Sequence, residues 1–118
     1  MTPFGARLRE IREARGMTLK SMAAAIGVSP AYLSALEHGR RGRPTWDLLQ
    51  RIIGHLNIIW DEADELERLA DLSHPRVVID TSGLDAAATA FANLLAERIG
   101  TLDADTIAAL RRLLDDKR

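Results

Sequence analysis

The stretch that decides the fold is Gly16-Met17-Thr18-Leu19-Lys20-Ser21-Met22-Ala23-Ala24-Ala25-Ile26-Gly27-Val28-Ser29-Pro30-Ala31-Tyr32-Leu33-Ser34-Ala35-Leu36-Glu37-His38-Gly39. It reads as two short helices joined by a sharp turn. Thr18 is an N-cap, because its hydroxyl can accept a bond from one of the unpaired amides that open a helix. Met22, Ala23 and Ile26 follow at the spacing of a single helical stripe. Gly27 ends that helix, since a residue without Cβ enters the left-handed region at little steric cost. Val28 plugs the corner. Ser29 caps the second helix, and Pro30 fits its first turn, where a missing N–H costs nothing. Leu33 and Leu36 face inward and Gly39 is the stop. Two helices held at a steep angle by one glycine turn form a helix-turn-helix, whose second helix offers its outer face to a DNA major groove.

On these residues the chain resembles the Cro/phage-repressor type of helix-turn-helix protein, the XRE family of bacterial transcriptional regulators. The resemblance runs over about residues 4–57 without an insertion. It includes the opening Leu8-Arg9-Glu10-Ile11-Arg12-Glu13-Ala14-Arg15-Gly16 and the close Leu36-Glu37-His38-Gly39-Arg40-Arg41. In that family an arginine of the first helix pairs with the glutamate ending the recognition helix, which implies a structural ion pair between Arg12 and Glu37. The family's base-contacting places fall on Ser29, Pro30, Ala31 and Ala35, with Tyr32 beside them. A phosphate donor is implied at His38. One position departs: a phosphate-contacting glutamine is common where this chain has Leu19, so that contact passes to Thr18, Lys20 or backbone amides.

The totals fit one small domain with an appendage: 118 residues, no cysteine and a net charge of −1. Without cysteine there is no disulfide, thiolate nucleophile or cysteine-based zinc site, which agrees with a cytoplasmic location. Met1-Thr2-Pro3-Phe4 lacks a basic region followed by an apolar run, so no secretion signal is expected. The apolar runs are too short for a membrane span. Near-neutral charge at first argues against nucleic acid. Divided, the chain says otherwise. Residues 1–57 hold nine Lys/Arg against four Asp/Glu, a net +5, and residues 58–118 hold seven against thirteen, a net −6. Positive charge sits with the helix-turn-helix, where phosphate neutralisation supplies affinity.

Outside the motif, the pattern predicts a first helix over 3–15 with Phe4, Leu8 and Ile11 on one side. Thr45 caps a fourth helix to about Leu56 with the stripe Trp46, Leu49, Ile52, Ile53 and Leu56, and Asn57 suits its C-terminal turn. A fifth, over 60–72, buries Trp60, Ala63, Leu66, Leu69 and Ala70. Its carboxylates Asp61, Glu62, Asp64, Glu65, Glu67 and Asp71 read as a solvated face, with no convergent histidine or nucleophile. Pro75 is a breaker, and the β-branched run Arg76-Val77-Val78-Ile79-Asp80 predicts a strand. A lone strand needs partners for its amides and carbonyls, either the same strand of a second subunit or an extended path across the domain. After a turn at 81–83, Asp85 caps a helix to about Ile99 with Gly100 as its stop, and Asp103 caps a last one. The expected fold is therefore all-α: a five-helix repressor-like helix-turn-helix domain over 1–72, then 73–118 with a short strand and a C-terminal helical hairpin used for dimerisation. Its dimerisation residues would be Val77, Val78, Ile79, Phe91, Leu94, Leu95, Leu110 and Leu114. Ile107 and Leu113 complete the last helix's stripe.

The side chains offered to bases are short and mostly apolar, which favours thymine-methyl contacts and shape recognition over bidentate hydrogen bonding. Tyr32 either bonds a base or phosphate through its hydroxyl or packs at the core edge. Arg40, Arg41 and Arg43 form a loop able to grip phosphates or enter a narrow minor groove. His55 and His74 are too scattered for a metal site, and neither metal nor cofactor is expected. The leading expectation is a homodimeric regulator that binds an inverted repeat in double-stranded DNA, two recognition helices entering grooves about 34 Å apart. It would act as a repressor or autoregulator, with RNA polymerase or another protein as a further partner. The alternative is an antitoxin-like regulator whose C-terminal hairpin covers a partner protein. An enzyme is the least supported class, since no nucleophile–base pair, phosphate loop or metal constellation is present.

Overall fold

The computed structural model describes residues 1–116 and is all-helical. The helices are α1 (Pro3–Ala14), α2 (Leu19–Ile26), α3 (Pro30–Glu37), α4 (Trp46–His55), α5 (Trp60–Asp71), α6 (Ala86–Arg98) and α7 (Ala104–Asp116), with a 3₁₀ turn at Ile99–Thr101. The described chain divides into two compact units, one of Met1–Val77 and one beginning at Val78.

The first unit is built on side chains at helical spacing. Phe4, Leu8 and Ile11 of α1 meet Met22, Ala23 and Ile26 of α2, Leu33 and Leu36 of α3, and Leu48, Leu49 and Ile52 of α4; Leu56, Ile58, Leu66 and Ala70 complete the cluster. The starts of α2, α3 and α4 are closed by Thr18, Ser29 and Thr45, whose hydroxyls accept from the amides of Ser21, Tyr32 and Leu48. Each such cap is worth about 1 kcal/mol. Helix α1 packs on α3 and α5, and α2 packs on α3 and α4. The α1–α3 crossing is close because Gly5 has no side chain: a Cβ there would lie 2.3 Å from the Leu36 carbonyl oxygen. Ser73 is buried and bridges the ends of the unit, accepting from the Phe4 amide at 2.9 Å and donating to the Leu69 carbonyl at 2.6 Å.

Several expectations require correction. The strand at 76–80 is absent: that stretch is not in any β-ladder among the described residues, and Val77, Val78 and Ile79 are exposed. β-Branching favours extended backbone, but a strand exists only where a neighbour takes up its amides and carbonyls. Neither tryptophan belongs to the core. Trp46 is 66% and Trp60 82% exposed. At about 100° per residue, each stands roughly 100° from the centre of its helix's buried stripe, and Leu48 takes the inward place in α4 instead. Trp60 also has φ +56°, a left-handed conformation that costs a bulky residue about 1–2 kcal/mol. Asn57, by contrast, occupies φ +53° in the turn after α4 as its residue type suggests. Helix α5 stops at Asp71, before Pro75, and Gly100 lies inside the 3₁₀ turn rather than ending α6.

In the second unit Asp85 and Asp103 do cap their helices, accepting from the amides of Ala88 at 3.0 Å and Thr106 at 2.7 Å. The Asp103 carboxyl is held below its ordinary pKa chiefly by the bonds from Thr106, and Asp80 is lowered in the same way by Ser82. Yet none of the described residues of α6 or α7 is buried. Phe91, Leu94 and Leu114 are exposed, and Leu95 and Leu110 half-buried. An intimately packed hairpin is not formed within one chain.

Candidate nucleic-acid interface

The turn between α2 and α3 depends on Gly27, at φ +78°. Its amide and that of Val28 both return to the Ala23 carbonyl at 3.0 Å. Arg51 of α4 adds a bond from Nη1 to the Ile26 carbonyl at 3.2 Å, setting a cation at the C-terminal end of α2 where the helix dipole favours it. Nothing in the local pattern around Arg51 announces this role, because its target lies 25 positions away. At the other end of α3, Gly39 adopts φ +80°, and the amides of Gly39 and Arg40 reach back to the carbonyls of Leu36 and Ala35 at 3.3 and 2.8 Å. That closure sends the arginine loop off the end of α3 in a defined direction.

Arg12 and Glu37 form the expected pair. Nε of Arg12 lies 2.8 Å from Oε2 and Nη2 lies 3.1 Å from Oε1, while Nη1 donates to the Met17 carbonyl at 3.1 Å. Glu37 is 1% exposed and the Arg12 side chain 15%. The hydrogen bond to Glu37 raises the Arg12 pKa above its ordinary value, against the opposing effect of burial. The pair thus locks the end of α1 and the α1–α2 turn to the end of α3.

On the outer side, Ser29, Pro30 and Ala31 are exposed at the start of α3, with Ala35 half-buried one turn later. Tyr32 packs partly against the core, one of the two roles considered for it, and the Arg41 guanidinium lies 5.1 Å from its ring centroid. Thr18 and Lys20 are exposed at the start of α2, although the Thr18 hydroxyl is engaged as a cap. Leu19 is half-buried and packs on the core, so this departure from the family pattern serves packing. His38 is exposed, with Nδ1 2.8 Å from the Ser34 carbonyl. A carbonyl only accepts, so Nδ1 is the donor in that bond.

The three arginines of the loop do not act together. Arg40 and Arg41 are exposed. Arg43 instead donates from Nη2 to Asp71 at 2.9 Å and from Nη1 to the Pro44 carbonyl at 3.2 Å. Sequence reading missed this partner because Asp71 sits 28 positions on, within an acidic face that looked uniformly solvated. Arg7 likewise gathers Glu10, Glu62 and Glu65. No three His, Asp or Glu side chains converge as metal ligands among the described residues, and no described helix is long and apolar enough to cross a membrane.

A glycine turn, an ion-paired brace and a second helix with an exposed N-terminal face define a helix-turn-helix domain, and residues 3–69 match the model of the helix-turn-helix domain family. The chain belongs to that family, and it is of the XRE type that its motif resembles. It is 36% identical over 61 residues to the HTH-type transcriptional regulator RghRB of Bacillus subtilis, covering 52% of this chain and 44% of that protein. Identity is also 36% over 61 residues with the HTH-type transcriptional repressor RghR of the same organism, covering 52% and 45%. With the HTH-type transcriptional regulator DdrOP3 of Deinococcus deserti it is 48% over 46 residues, covering 39% and 35%. The matched stretch thus spans less than half the length of each of these relatives.

Proposed function

We propose that this protein is a sequence-specific, DNA-binding transcriptional regulator that represses by occupying an inverted-repeat operator as a homodimer. One observation carries the reading. The N-terminal half of α3 turns Ser29, Pro30 and Ala31 outward while Leu33 and Leu36 are fully buried, and Arg41 of the following loop lies over the ring of Tyr32 on that helix. A helix braced from behind and flanked by cations suits a major groove. Short side chains let its backbone approach base edges and thymine methyl groups closely. Thr18, Lys20, His38 and Arg40 are the phosphate contacts in this reading. Arg43 reaches DNA only by leaving Asp71. The name of the relative RghR supports repression.

The homodimer is supported by the second unit. Two helices with no buried side chain cannot offset the conformational entropy of their own ordering. A second copy covering Phe91, Leu94, Leu95, Leu110 and Leu114 supplies what is missing, and Val77, Val78 and Ile79 add exposed apolar surface. Binding of the full chain to its own promoter region tests the whole reading. Ala31→Glu should abolish a specific shifted complex while leaving helicity unchanged, because a carboxylate there meets base acceptors and phosphates. Leu94→Asp with Leu114→Asp should convert a sedimenting dimer to monomer and lower operator affinity. A monomeric wild type that co-purifies with a stoichiometric second protein would favour the antitoxin-like role. Wild-type binding by the Ala31→Glu variant would reject the assigned face.

A further inference from the structure

The arginines of the α3–α4 loop are held differently, and the difference points to a division of labour. Arg43 is spent on a carboxylate and a carbonyl of its own unit. Arg41 has no carboxylate within 4.0 Å among the described residues, and its guanidinium is 5.1 Å from the Tyr32 centroid. An arginine stacked on an aromatic ring gives up one face of its plane and keeps its N–H donors at the edge, unspent. Tyr32 is a firm platform: its amide is bound by the Ser29 cap at 3.0 Å and its ring packs partly on the core. It also lies in the first turn of α3, the part of a recognition helix that goes deepest into the groove. The contact therefore holds a forked donor beside the exposed start of α3.

We propose that Arg41 is a base-reading residue specific for guanine, and that Tyr32 is the positioning residue that holds it there. This rests on the DNA-binding reading above. Of Ser29, Pro30 and Ala31 at the exposed start of α3 and half-buried Ala35 one turn later, none carries two donors in a fixed fork. Guanine alone presents two acceptors, O6 and N7, side by side in the major groove, and a guanidinium fork matches them. The interface otherwise reads thymine methyl groups and shape; Arg41 gives it one strong polar determinant per half-site.

Selection of bound duplexes from a random pool, with the full chain and its R41K, R41A, Y32F and Y32L variants, tests this. Wild type should select one invariant guanine in each half-site, and 7-deazaguanine at that position should weaken its binding about 10-fold, the effect of one lost base-specific pair. R41K and R41A should lose the preference at that position alone. Y32F keeps the ring and should keep the preference; Y32L keeps apolar packing and should weaken it. Thermal melts separate misfolding from loss of stacking, and R41K decides the matter even if Y32L does not fold. A uniform affinity loss in R41A, with base preference intact and the salt slope lower by about one, makes Arg41 a phosphate contact and overturns the proposal while DNA binding stands. Loss of the guanine in Y32F also overturns it, since the hydroxyl would then be the reader. A wild type that selects no sequence sinks the DNA-binding reading as well.

Discussion

Replacing Arg12 by alanine is the severest test of how this domain is held together. The substitution strands Glu37, which is 1% exposed, and removes bonds at 2.8 and 3.1 Å from its two oxygens. Stranding a buried charge costs about 3–5 kcal/mol, a large share of the roughly 5–15 kcal/mol that holds a small domain folded. With a urea m-value of about 1 kcal/mol/M for a unit of this size, the midpoint should fall by about 3–5 M, to the edge of unfolding in buffer. The reverse change, Glu37→Ala, leaves Arg12 with a side chain 15% exposed that still donates to the Met17 carbonyl at 3.1 Å. That guanidinium can turn toward water, so Glu37→Ala should cost clearly less than Arg12→Ala. The double replacement Arg12→Met with Glu37→Leu removes both charges and should recover most of the loss. Circular dichroism during urea titration of the four proteins measures all three differences. A loss under 1 kcal/mol for Arg12→Ala, or equal losses for the two single variants, would refute the claim that Glu37 is sealed in by its partner.

Three further outcomes are expected. Gly5→Ala places a methyl group 2.3 Å from the Leu36 carbonyl oxygen and 2.7 Å from that of Glu37. Despite alanine's better helix propensity it should destabilise the domain by about 1–3 kcal/mol, and an unchanged or raised melting temperature would show that α1 and α3 are not in close contact. Asp71→Asn releases the Arg43 guanidinium now held at 2.9 Å, so DNA affinity at low salt should rise and the salt slope should steepen by about one unit. An unchanged slope in filter-binding titrations would mean Arg43 never reaches phosphate. Finally, the bonds from Thr106 lower the Asp103 pKa from 3.8, so the cap on α7 stabilises fully above the ordinary aspartate range and is lost as pH falls through the depressed value. Asp103→Asn should reduce that acid-side change in helicity, as followed by circular dichroism between about pH 5 and pH 2.

The recognisable parts were those whose signals are local. Thr18, Ser29, Thr45, Asp85 and Asp103 each cap a helix whose amide lies three residues on, so residue type and spacing sufficed. Gly27 and Asn57 were legible for a similar reason: a positive φ selects among very few residue types. The Arg12–Glu37 pair spans 25 positions and became visible only through a family resemblance. Trp46 and Trp60 are apolar yet exposed, because hydrophobicity alone does not say how far a side chain stands from the centre of its helix's buried stripe. The 76–80 strand failed because propensity describes a backbone's preference, whereas a ladder needs a second backbone.

What the sequence by itself determined is the helix-turn-helix: caps, a turn glycine and an apolar period of 3.6 act between residues a few positions apart, so their order along the chain is enough to specify two helices and the corner between them. Only the tertiary structure decided what each arginine does. Arg12 braces, Arg51 closes a helix end, Arg43 is held by Asp71 and Arg41 lies on Tyr32. A long cation reaches whatever the fold brings near it, and nothing in its immediate neighbours along the chain says which carboxylate, carbonyl or ring that will be.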